Sequence, residues 1–332
     1  MIRPVARLVS LALSLWVVTA PPALASFLEQ DGVRDFIASL AEREAFNTAE
    51  LRGLFEEVER QDAVLEAIAR PAEGLAWHRY RPIFVTEERA RGGAEFMRAH
   101  ADALARAEVE YGVPPEIVTA IIGVETFYGR HKGRYPVLDT LATLAFAYPP
   151  RADFFRDELE QFLVLAREEG LNPRGVDGSY AGAMGMPQFI SSSYRHYAID
   201  FDGDGRRDLW DSTTDVIGSV AAYLSRHGWQ GGATIVSRVG GGAAPEGLDS
   251  DSLRPAVGPA ELRDAGIDAA PWPANGEKVA LIELESADGP ELWLGWQNFY
   301  AITRYNHSAL YAMAVFQLAE RIGEFERATA ER

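Results

Sequence analysis

The chain reads Ile121-Ile122-Gly123-Val124-Glu125-Thr126-Phe127-Tyr128-Gly129-Arg130 where an apolar helical run, begun after Pro114-Pro115, meets an aromatic and glycine-containing turn. Burial disfavours the charged form of a carboxyl group, so we expect the pKa of Glu125 to be raised. A carboxyl that keeps its proton near neutral pH is suited to general acid catalysis. The alternative is a structural glutamate that pairs with Arg130 or Arg134.

The composition is that of a globular protein without disulfides. The 332 residues are 47% hydrophobic and 24% charged and include no cysteine, and this length allows one to three domains. The net charge of −17 argues against nucleic acid and anionic lipid as partners, because both attract clustered Lys and Arg. The chain also lacks a phosphate-binding glycine loop, a Gly-x-Ser-x-Gly elbow and a His-x-x-x-His pair, so nucleotide, serine and zinc chemistry have no support.

The first 25 residues have the pattern of a secretory signal peptide. Arg3 and Arg7 flank the start, residues 8–18 are almost wholly apolar, and small residues precede a cleavage site after Ala25. The alternative, an uncleaved anchor, is disfavoured because the apolar stretch is shorter than the about 20 residues that a span needs. A lipid anchor would need a cysteine. We therefore expect a periplasmic protein with no membrane anchor.

Changes in sequence pattern divide the rest of the chain. The spacing of apolar residues predicts a helix over residues 86–110, an extended segment over 80–84, and a β-hairpin with strands at 279–284 and 291–296. Residues 240–245 are glycine-rich and predict a flexible connection. The predicted divisions are a signal peptide at 1–25, an N-terminal helical domain at 26–104, a catalytic core at 105–232, a small β subdomain at 233–294 and a C-terminal part of the core at 295–332.

The stretch of residues 200–211 matches most of an EF-hand calcium loop. Acids stand at the first, third and fifth positions, glycine stands at the sixth, and the seventh offers a backbone carbonyl; these residues are Asp200, Asp202, Asp204, Gly205 and Arg206. Hard oxygen ligands of this kind favour Ca²⁺. The spacing predicts a structural calcium site.

The last position of this loop departs from the EF-hand pattern. It is Asp211, which is one methylene shorter than the usual Glu, so the loop either binds Ca²⁺ more weakly or takes its last carboxylate from elsewhere. Asp215 is the candidate for that ligand. The alternative is a solvated acidic turn in which Asp215 only caps the following helix.

Two further segments have the composition of a sugar-binding groove. Residues 178–189 combine small residues, which let a ligand approach the backbone, with the polar side chains of Ser179 and Gln188. Residues 298–311 are rich in tyrosine and asparagine, and sugars bind to aromatic faces and amide groups. The alternative for such tyrosines is a place in the core.

Together these segments resemble the B-type lytic murein transglycosylases of glycoside hydrolase family 103. The resemblance covers nearly all of the chain after residue 25 and rests on residues 123–129, 137–144, 178–189, the acidic loop and 304–308. It implies an α+β fold, mainly α, with a lysozyme-like catalytic core, an N-terminal helical domain and a small β subdomain. It also implies an enzyme that binds peptidoglycan glycan strands and cleaves the β-1,4 bond between N-acetylmuramic acid and N-acetylglucosamine.

The resemblance also assigns roles to individual residues. It makes Glu125 the sole acid/base. It implies contacts with the glycan strand from Ser179, Gln188, Tyr223, Tyr305, Asn306 and Tyr311. It implies a calcium ion on Asp200, Asp202, Asp204 and Asp215, but here one residue more separates Asp204 from Asp215 than in some members of the family.

A single catalytic acid is consistent with lytic cleavage, in which the 6-hydroxyl of the muramic acid attacks its own anomeric carbon and closes a 1,6-anhydro ring. Hydrolytic glycosidases normally use two carboxylates. A hydrolytic muramidase of the same fold is the first alternative, and Asp139 would then be the first candidate for the second carboxylate. A non-catalytic cell-wall binding protein is the second alternative. The sequence does not identify protein partners, for example among the proteins of cell-wall synthesis or cell division.

Overall fold

The computed structural model describes residues 27–70, 74–248, 250 and 252–330, so the predicted signal peptide at 1–25 lies outside the described residues. The helices, in chain order, are α1 Val33–Glu44, α2 Thr48–Glu56, α3 Asp62–Ile68, α4 Trp77–Phe84, α5 Glu87–Ala99, α6 Ala101–Tyr111, α7 Pro115–Thr126, α8 Val137–Ala147, α9 Ala152–Glu168, α10 Ser191–Tyr197, α11 Thr213–Arg226, α12 Pro259–Asp264, α13 Gln297–Tyr305 and α14 Ala309–Ala330. The strands are β1 Tyr135–Pro136, β2 Asp177–Gly178, β3 Val236–Gly241, β4 Ala280–Ser286 and β5 Gly289–Gly295. None of the helices in the described residues has both the length and the apolar character to cross a bilayer.

The strands form two antiparallel sheets. β1 and β2 pair over two residues, and the larger sheet has the order β3-β5-β4. β4 and β5 form the predicted hairpin, which closes where Ser286 pairs with Gly289. The predicted flexible connection at 240–245 is wrong at its start, because β3 continues to Gly241 across a register shift after Arg238. Such an irregularity accommodates an extra residue in a strand, and glycine favours it.

Two hydrophobic cores hold these elements together. The smaller core lies in the β region and includes Leu262, Leu281 and Leu294. The larger core runs from the first helices to α14, which packs against α4, α5, α7 and α13. α7 can occupy the centre of this core because nearly all of its residues are buried. A mainly helical α+β architecture with a small β region confirms the predicted fold class, whereas the domain boundaries stay a prediction.

One local prediction is wrong, and another is confirmed with a break in the helix. Residues 80–84, predicted to be extended, belong to α4, in which Trp77 and Tyr80 are buried despite Pro82 inside the helix. Packing of the Tyr80 ring 5.0 Å from that of Phe84 outweighs the poor helix propensity of proline. The helical structure predicted over 86–110 is confirmed, but it divides into two helices where His100 leaves the helical conformation and its ring packs 4.5 Å from that of Phe96.

Candidate active site

Glu125 lies in the last turn of α7 and is only partly buried. The helix stops because Phe127 and Tyr128 adopt left-handed backbone conformations, with φ of 53° and 61°. The Phe127 and Tyr128 N–H groups donate to the carbonyls of Gly123 and Ile122, which satisfies the helix end. Left-handed conformations of bulky residues are costly and are kept where the surrounding structure requires them. This abrupt end brings Glu125 from a buried helix to the molecular surface.

Gly123 and Tyr128 explain the shape of this turn. A Cβ atom at Gly123 would lie 2.7 Å from the Tyr128 hydroxyl oxygen, so only glycine admits the tyrosine ring. The Tyr128 hydroxyl donates to the Arg89 carbonyl at 2.7 Å, which attaches the turn to α5. Burial raises the pKa of Tyr128 and keeps this donor protonated. These two residues of the motif therefore support the structure around Glu125.

Thr126 connects Glu125 to the second predicted motif. Its Oγ1 donates to the Met186 carbonyl at 2.8 Å and accepts from the Gly129 N–H at 3.0 Å. The Met186 N–H in turn donates to the Leu209 carbonyl at 2.8 Å. One chain of hydrogen bonds therefore joins the end of α7, the 178–189 segment and the end of the acidic loop, which brings three separate sequence motifs together.

Tyr311 makes the closest described contact with Glu125. Its hydroxyl donates to Glu125 Oε1 at 2.6 Å, and its ring is almost completely buried. Burial, followed by the charge of Glu125, raises the pKa of Tyr311 well above its usual value, so the hydroxyl stays protonated and remains a donor. Tyr311 therefore orients the carboxyl group of Glu125 as well as lying near the groove.

The predicted tyrosines form one aromatic layer beside Glu125. The Tyr305 ring is stacked on that of Tyr311, with centroids 6.4 Å apart and an interplanar angle of 10°. Tyr223 meets Tyr305 edge to face at 4.8 Å. The Tyr305 hydroxyl donates to the Pro187 carbonyl at 2.7 Å and the Tyr223 hydroxyl to that of Arg304 at 2.5 Å. Because both hydroxyls are occupied, these tyrosines offer ring surfaces to a ligand.

A cleft of about 700 Å³ adjoins this layer. Four of the predicted groove residues line it, namely Gln188, Tyr223, Tyr305 and Asn306. Gln188 Nε2 donates to the Gly185 and Lys132 carbonyls at 2.8 Å and 3.2 Å, which leaves its side-chain carbonyl as an acceptor. The structure brings these four residues together. Tyr311 packs against Tyr305 within the aromatic layer, and neither Tyr311 nor Glu125 is among the residues that line the cleft.

Ser179 has a different environment from the other predicted groove residues. It is not among the residues that line the cleft. Its Oγ accepts hydrogen bonds from the N–H groups of Ala181 and Ala183, at 3.2 Å and 3.1 Å, and so closes a turn of the 178–189 segment. Contact between Ser179 and a sugar stays a prediction.

Sequence reasoning missed the basic lining of the cleft. Arg151, Arg304, His196, His227 and His307 line it, and no lining residue that the structure describes is acidic, although the net charge of the chain is −17. Burial, and after it the charge of Arg304, lowers the pKa of His307. Arg304 directly precedes Tyr305 and Asn306, so the sequence could have indicated a cation beside these groove residues. The sequence around Arg151 gives no such signal.

Asp200, Asp202 and Asp204 converge as the calcium-loop pattern predicts. One carboxylate oxygen from each lies within 4.8 Å of the others. Left-handed glycines at 203 and 205, with φ of 82° and 89°, turn the chain around them, and Asp200 Oδ2 accepts from the Gly205 N–H at 2.8 Å. Three carboxylates this close repel one another unless a cation lies between them. The donor set therefore fits a hard divalent cation.

Asp211 and Asp215 do not join this group of three. The Asp211 carboxylate is largely exposed and lies 3.7 Å from Lys132 Nζ. Asp215 is fully buried, and its two oxygens accept from the N–H groups of Phe201, Asp202 and Asp208 at 2.7–3.1 Å. The Arg206 N–H donates to Asp204 Oδ1 at 2.8 Å. The residue that completes the metal site stays a prediction, and Asp215 here supports the loop.

The chain is similar to known proteins over most of its length. The family model described as "Transglycosylase SLT domain" matches residues 29–320. Membrane-bound lytic murein transglycosylase B of Escherichia coli (strain K12) is 42% identical over 306 residues, which are 89% of this chain and 84% of that protein.

Solved structures agree with this match. Soluble lytic transglycosylase SltB1 from Pseudomonas aeruginosa superposes with a TM-score of 0.82 at 48% identity, covering 88% of this chain and 98% of that chain. Escherichia coli lytic transglycosylase Slt35 in complex with calcium superposes with a TM-score of 0.83 at 40% identity, covering 90% and 95%. These matches confirm the family predicted from the sequence: the chain belongs to the transglycosylase SLT-domain family of lytic murein transglycosylases.

Proposed function

We propose that the protein cleaves the β-1,4 bond between N-acetylmuramic acid and N-acetylglucosamine in peptidoglycan and leaves a 1,6-anhydromuramic acid end. The observation that carries this proposal is the Glu125 carboxyl held at 2.6 Å by Tyr311, whose ring stacks on that of Tyr305, a residue of the aromatic and amide-lined cleft. The relatives named above are lytic murein transglycosylases.

The chemistry needs one acid that changes role. Protonated Glu125 donates its proton to the glycosidic oxygen as the bond to the muramic acid anomeric carbon breaks. The 2-acetamido oxygen of the same sugar stabilises the positive charge at that carbon. Ionised Glu125 then takes the proton from the 6-hydroxyl, whose oxygen bonds to the anomeric carbon. Glu125 ends protonated, and no water is consumed.

Asp139, the candidate second carboxylate of the hydrolytic alternative, has no described contact with this site. It lies in the first turn of α8, where Gln61 Nε2 approaches its Oδ2 at 3.4 Å. Burial raises its pKa, and Arg174 and Glu59 are the nearby charges. Neither Asp139 nor any of these three neighbours lines the cleft. Their position favours the single-acid mechanism over hydrolysis.

The remaining predicted residues have supporting roles in this proposal. The side-chain carbonyl of Gln188 and the amide of Asn306 bind sugar hydroxyl and acetamido groups, and the tyrosine rings bind apolar sugar faces. Asp200, Asp202 and Asp204 would hold Ca²⁺, which neutralises their charges and fixes the loop. We also propose that the protein works in the periplasm, where peptidoglycan lies.

Product analysis tests the proposal. Purified peptidoglycan digested by the protein should yield fragments with 1,6-anhydro ends, which resist borohydride, whereas a hydrolase leaves reducible ends that are heavier by one water. Glu125→Gln should lose activity by about 10²-fold or more and keep its melting temperature. Mainly reducible ends in the mass spectrum would establish a muramidase instead. Unchanged activity of the Gln variant would remove Glu125 from the mechanism.

A further inference from the structure

A second cleft, of about 630 Å³, lies between α4, α14 and the β4–β5 hairpin, and it shares no lining residue with the cleft beside Glu125. Its walls are held together by hydrogen bonds. Arg81 Nε on α4 donates to Gln317 Oε1 on α14 at 2.6 Å, and His78 Nδ1 lies 3.2 Å from the Glu285 carbonyl of the hairpin. The second cleft is therefore a built feature of the fold.

The hairpin side of the second cleft is internally satisfied. Glu291 accepts a hydrogen bond from Ser286 Oγ at 2.5 Å and lies 3.7 Å from Arg238. The Arg238 guanidinium lies 5.8 Å from the centre of the Trp293 ring. Arg238 and Glu291 compensate each other's charge beside the Trp293 ring, and Asp288 adds one carboxylate to this side of the second cleft.

On the α14 side of the second cleft, the charged side chains do not compensate one another. Arg321 Nε is buried and has no described hydrogen-bond acceptor. Glu320 and Glu324 lie one helical turn apart, and burial together with the like charge of Glu324 raises the pKa of Glu320. Like charges at this spacing destabilise a helix. The guanidinium of Arg321 therefore lines the second cleft with one buried N–H unsatisfied, next to two carboxylates that repel each other.

We propose that the second cleft binds a short peptide that carries both a free carboxylate and a free ammonium group. Arg321, assisted by the guanidinium of Arg81, receives the carboxylate, because arginine offers charge-assisted hydrogen bonds in a fixed planar arrangement. The ammonium lies between Glu320 and Glu324, where it removes their repulsion. The apolar part of the peptide covers Trp293.

This inference rests on the proposed function for the identity of its ligand. The peptides attached to peptidoglycan strands carry carboxylates and, through a diamino acid, an ammonium group. Because the second cleft does not overlap the cleft beside Glu125, it would hold the peptide of a strand while Glu125 acts on the glycan. Attachment at two sites raises the effective concentration of the scissile bond.

Titration calorimetry with the tripeptide L-lysyl-D-alanyl-D-alanine tests the inference without turnover. The probe should bind saturably to the Glu125→Gln protein and lose affinity by about tenfold when its carboxylate is amidated or its amines are acetylated. Arg321→Gln and Glu324→Gln should each weaken binding by a similar factor. Arg52→Gln, an exposed arginine on α2, and Arg304→Gln, in the other cleft, should bind the probe as well as the parent protein.

The possible outcomes separate this inference from the proposed function. Binding that survives amidation and acetylation, binding lost in Arg304→Gln, or equal binding by Arg321→Gln and Glu324→Gln would overturn the inference even if anhydro products are found. Specific binding without anhydro products would overturn the proposed function alone. If both hold, Arg321→Gln should raise KM for peptide-bearing strands and leave KM for peptide-free strands unchanged.

Discussion

At the scale of single residues, Glu125 depends on a partner that is 186 positions away in sequence. The Tyr311 hydroxyl keeps the proton that it donates to Glu125, because burial raises the pKa of the phenol. A donated hydrogen bond favours the ionised form of a carboxyl, whereas burial favours the protonated form. In the proposed mechanism, Glu125 passes through both forms in one turnover. The hydrogen bond from Tyr311 is therefore suited to balancing them as well as to fixing the carboxyl in place.

Tyr311→Phe tests this role because it removes the hydroxyl and keeps the ring. We expect activity to fall by about tenfold or more, the usual effect of losing one charge-assisted hydrogen bond. Loss of the donor favours protonated Glu125, so the basic limb of the kcat/KM profile should move to higher pH. The measurement is the initial rate of wall solubilisation across pH.

Tyr300→Phe on α13 is the matched control, because its ring lies near Arg304 and its hydroxyl has no described contact with Glu125. Its pH profile should match that of the parent protein. If the Tyr311→Phe profile also keeps its limbs and only the melting temperature changes, Tyr311 is a packing residue.

At the scale of secondary-structure elements, the walls of the cleft depend on contacts beneath them. α10 contributes Ser192, Ser193, His196 and Tyr197 to the cleft, and its first turn is capped from below by Glu158 of α9. Glu158 accepts hydrogen bonds from the Ser192 N–H at 3.0 Å and from Ser192 Oγ at 2.6 Å. A carboxylate at a helix N-terminus satisfies otherwise free N–H groups.

Burial raises the pKa of Glu158, so the contribution of this residue to the stability of the folded protein decreases as the pH rises. The protonated form is favoured in the native state, so this stabilisation is complete below the unfolded pKa of about 4.3 and is lost as the pH rises through the native pKa. Glu158→Gln does not titrate. Its melting temperature, relative to the parent protein, should therefore increase as the pH rises from about 4 to neutrality.

Thermal melts at several pH values measure this difference. Asp153→Asn is the control, because Asp153 lies on the same helix and its exposed carboxylate forms an ion pair with Arg156. Its pH dependence should be small. If the difference in melting temperature between Glu158→Gln and the parent protein is constant across this pH range, the hydrogen bonds from Ser192 offset the full cost of burying ionised Glu158.

The acidic loop is the second element whose role can be tested. If it holds Ca²⁺, a chelator should lower the melting temperature, because a ligand at 100 times its Kd stabilises the native state by about 2.7 kcal/mol. Asp202→Ala combined with Asp204→Ala should remove this response. Asp264→Ala on α12, an exposed acid far from the loop in sequence, should keep it. If chelator does not change the melting curve of the parent protein, the loop is an acidic turn without a stabilising Ca²⁺ ion.

At the scale of the whole molecule, local patterns were predictable and long-range ones were not. The turn around Glu125, the acidic loop and the β4–β5 hairpin follow from neighbouring residues, and sequence reasoning placed them correctly. α4 forms because Trp77 and Tyr80 are buried in a core that includes α14, which is distant in sequence. This packing outweighs the low helix propensity of Pro82, on which a local prediction depends. Arg151 reaches the cleft through the packing of α8 and α9, which no short motif encodes.

The charge distribution of the whole molecule leads to a last prediction. The chain has a net charge of −17, yet the cleft beside Glu125 includes Arg151 and Arg304 and no acid among its described lining residues. Peptidoglycan peptides carry carboxylates, so the outer surface repels the wall while the cleft attracts it. Salt screens the long-range repulsion first, since the Debye length falls from about 30 Å at 0.01 M to about 10 Å at 0.1 M.

Capture of Glu125→Gln protein by purified sacculi should therefore increase between these two salt concentrations, as measured by co-sedimentation. Arg304→Gln should bind less at both concentrations, because it loses the local attraction and keeps the net repulsion. An uncharged, peptide-free glycan oligomer should bind equally at both, since it experiences neither force. If capture by sacculi instead falls steadily with salt, the cations of the cleft outweigh the acidic surface at every distance, and the net charge has no part in how the protein approaches the wall.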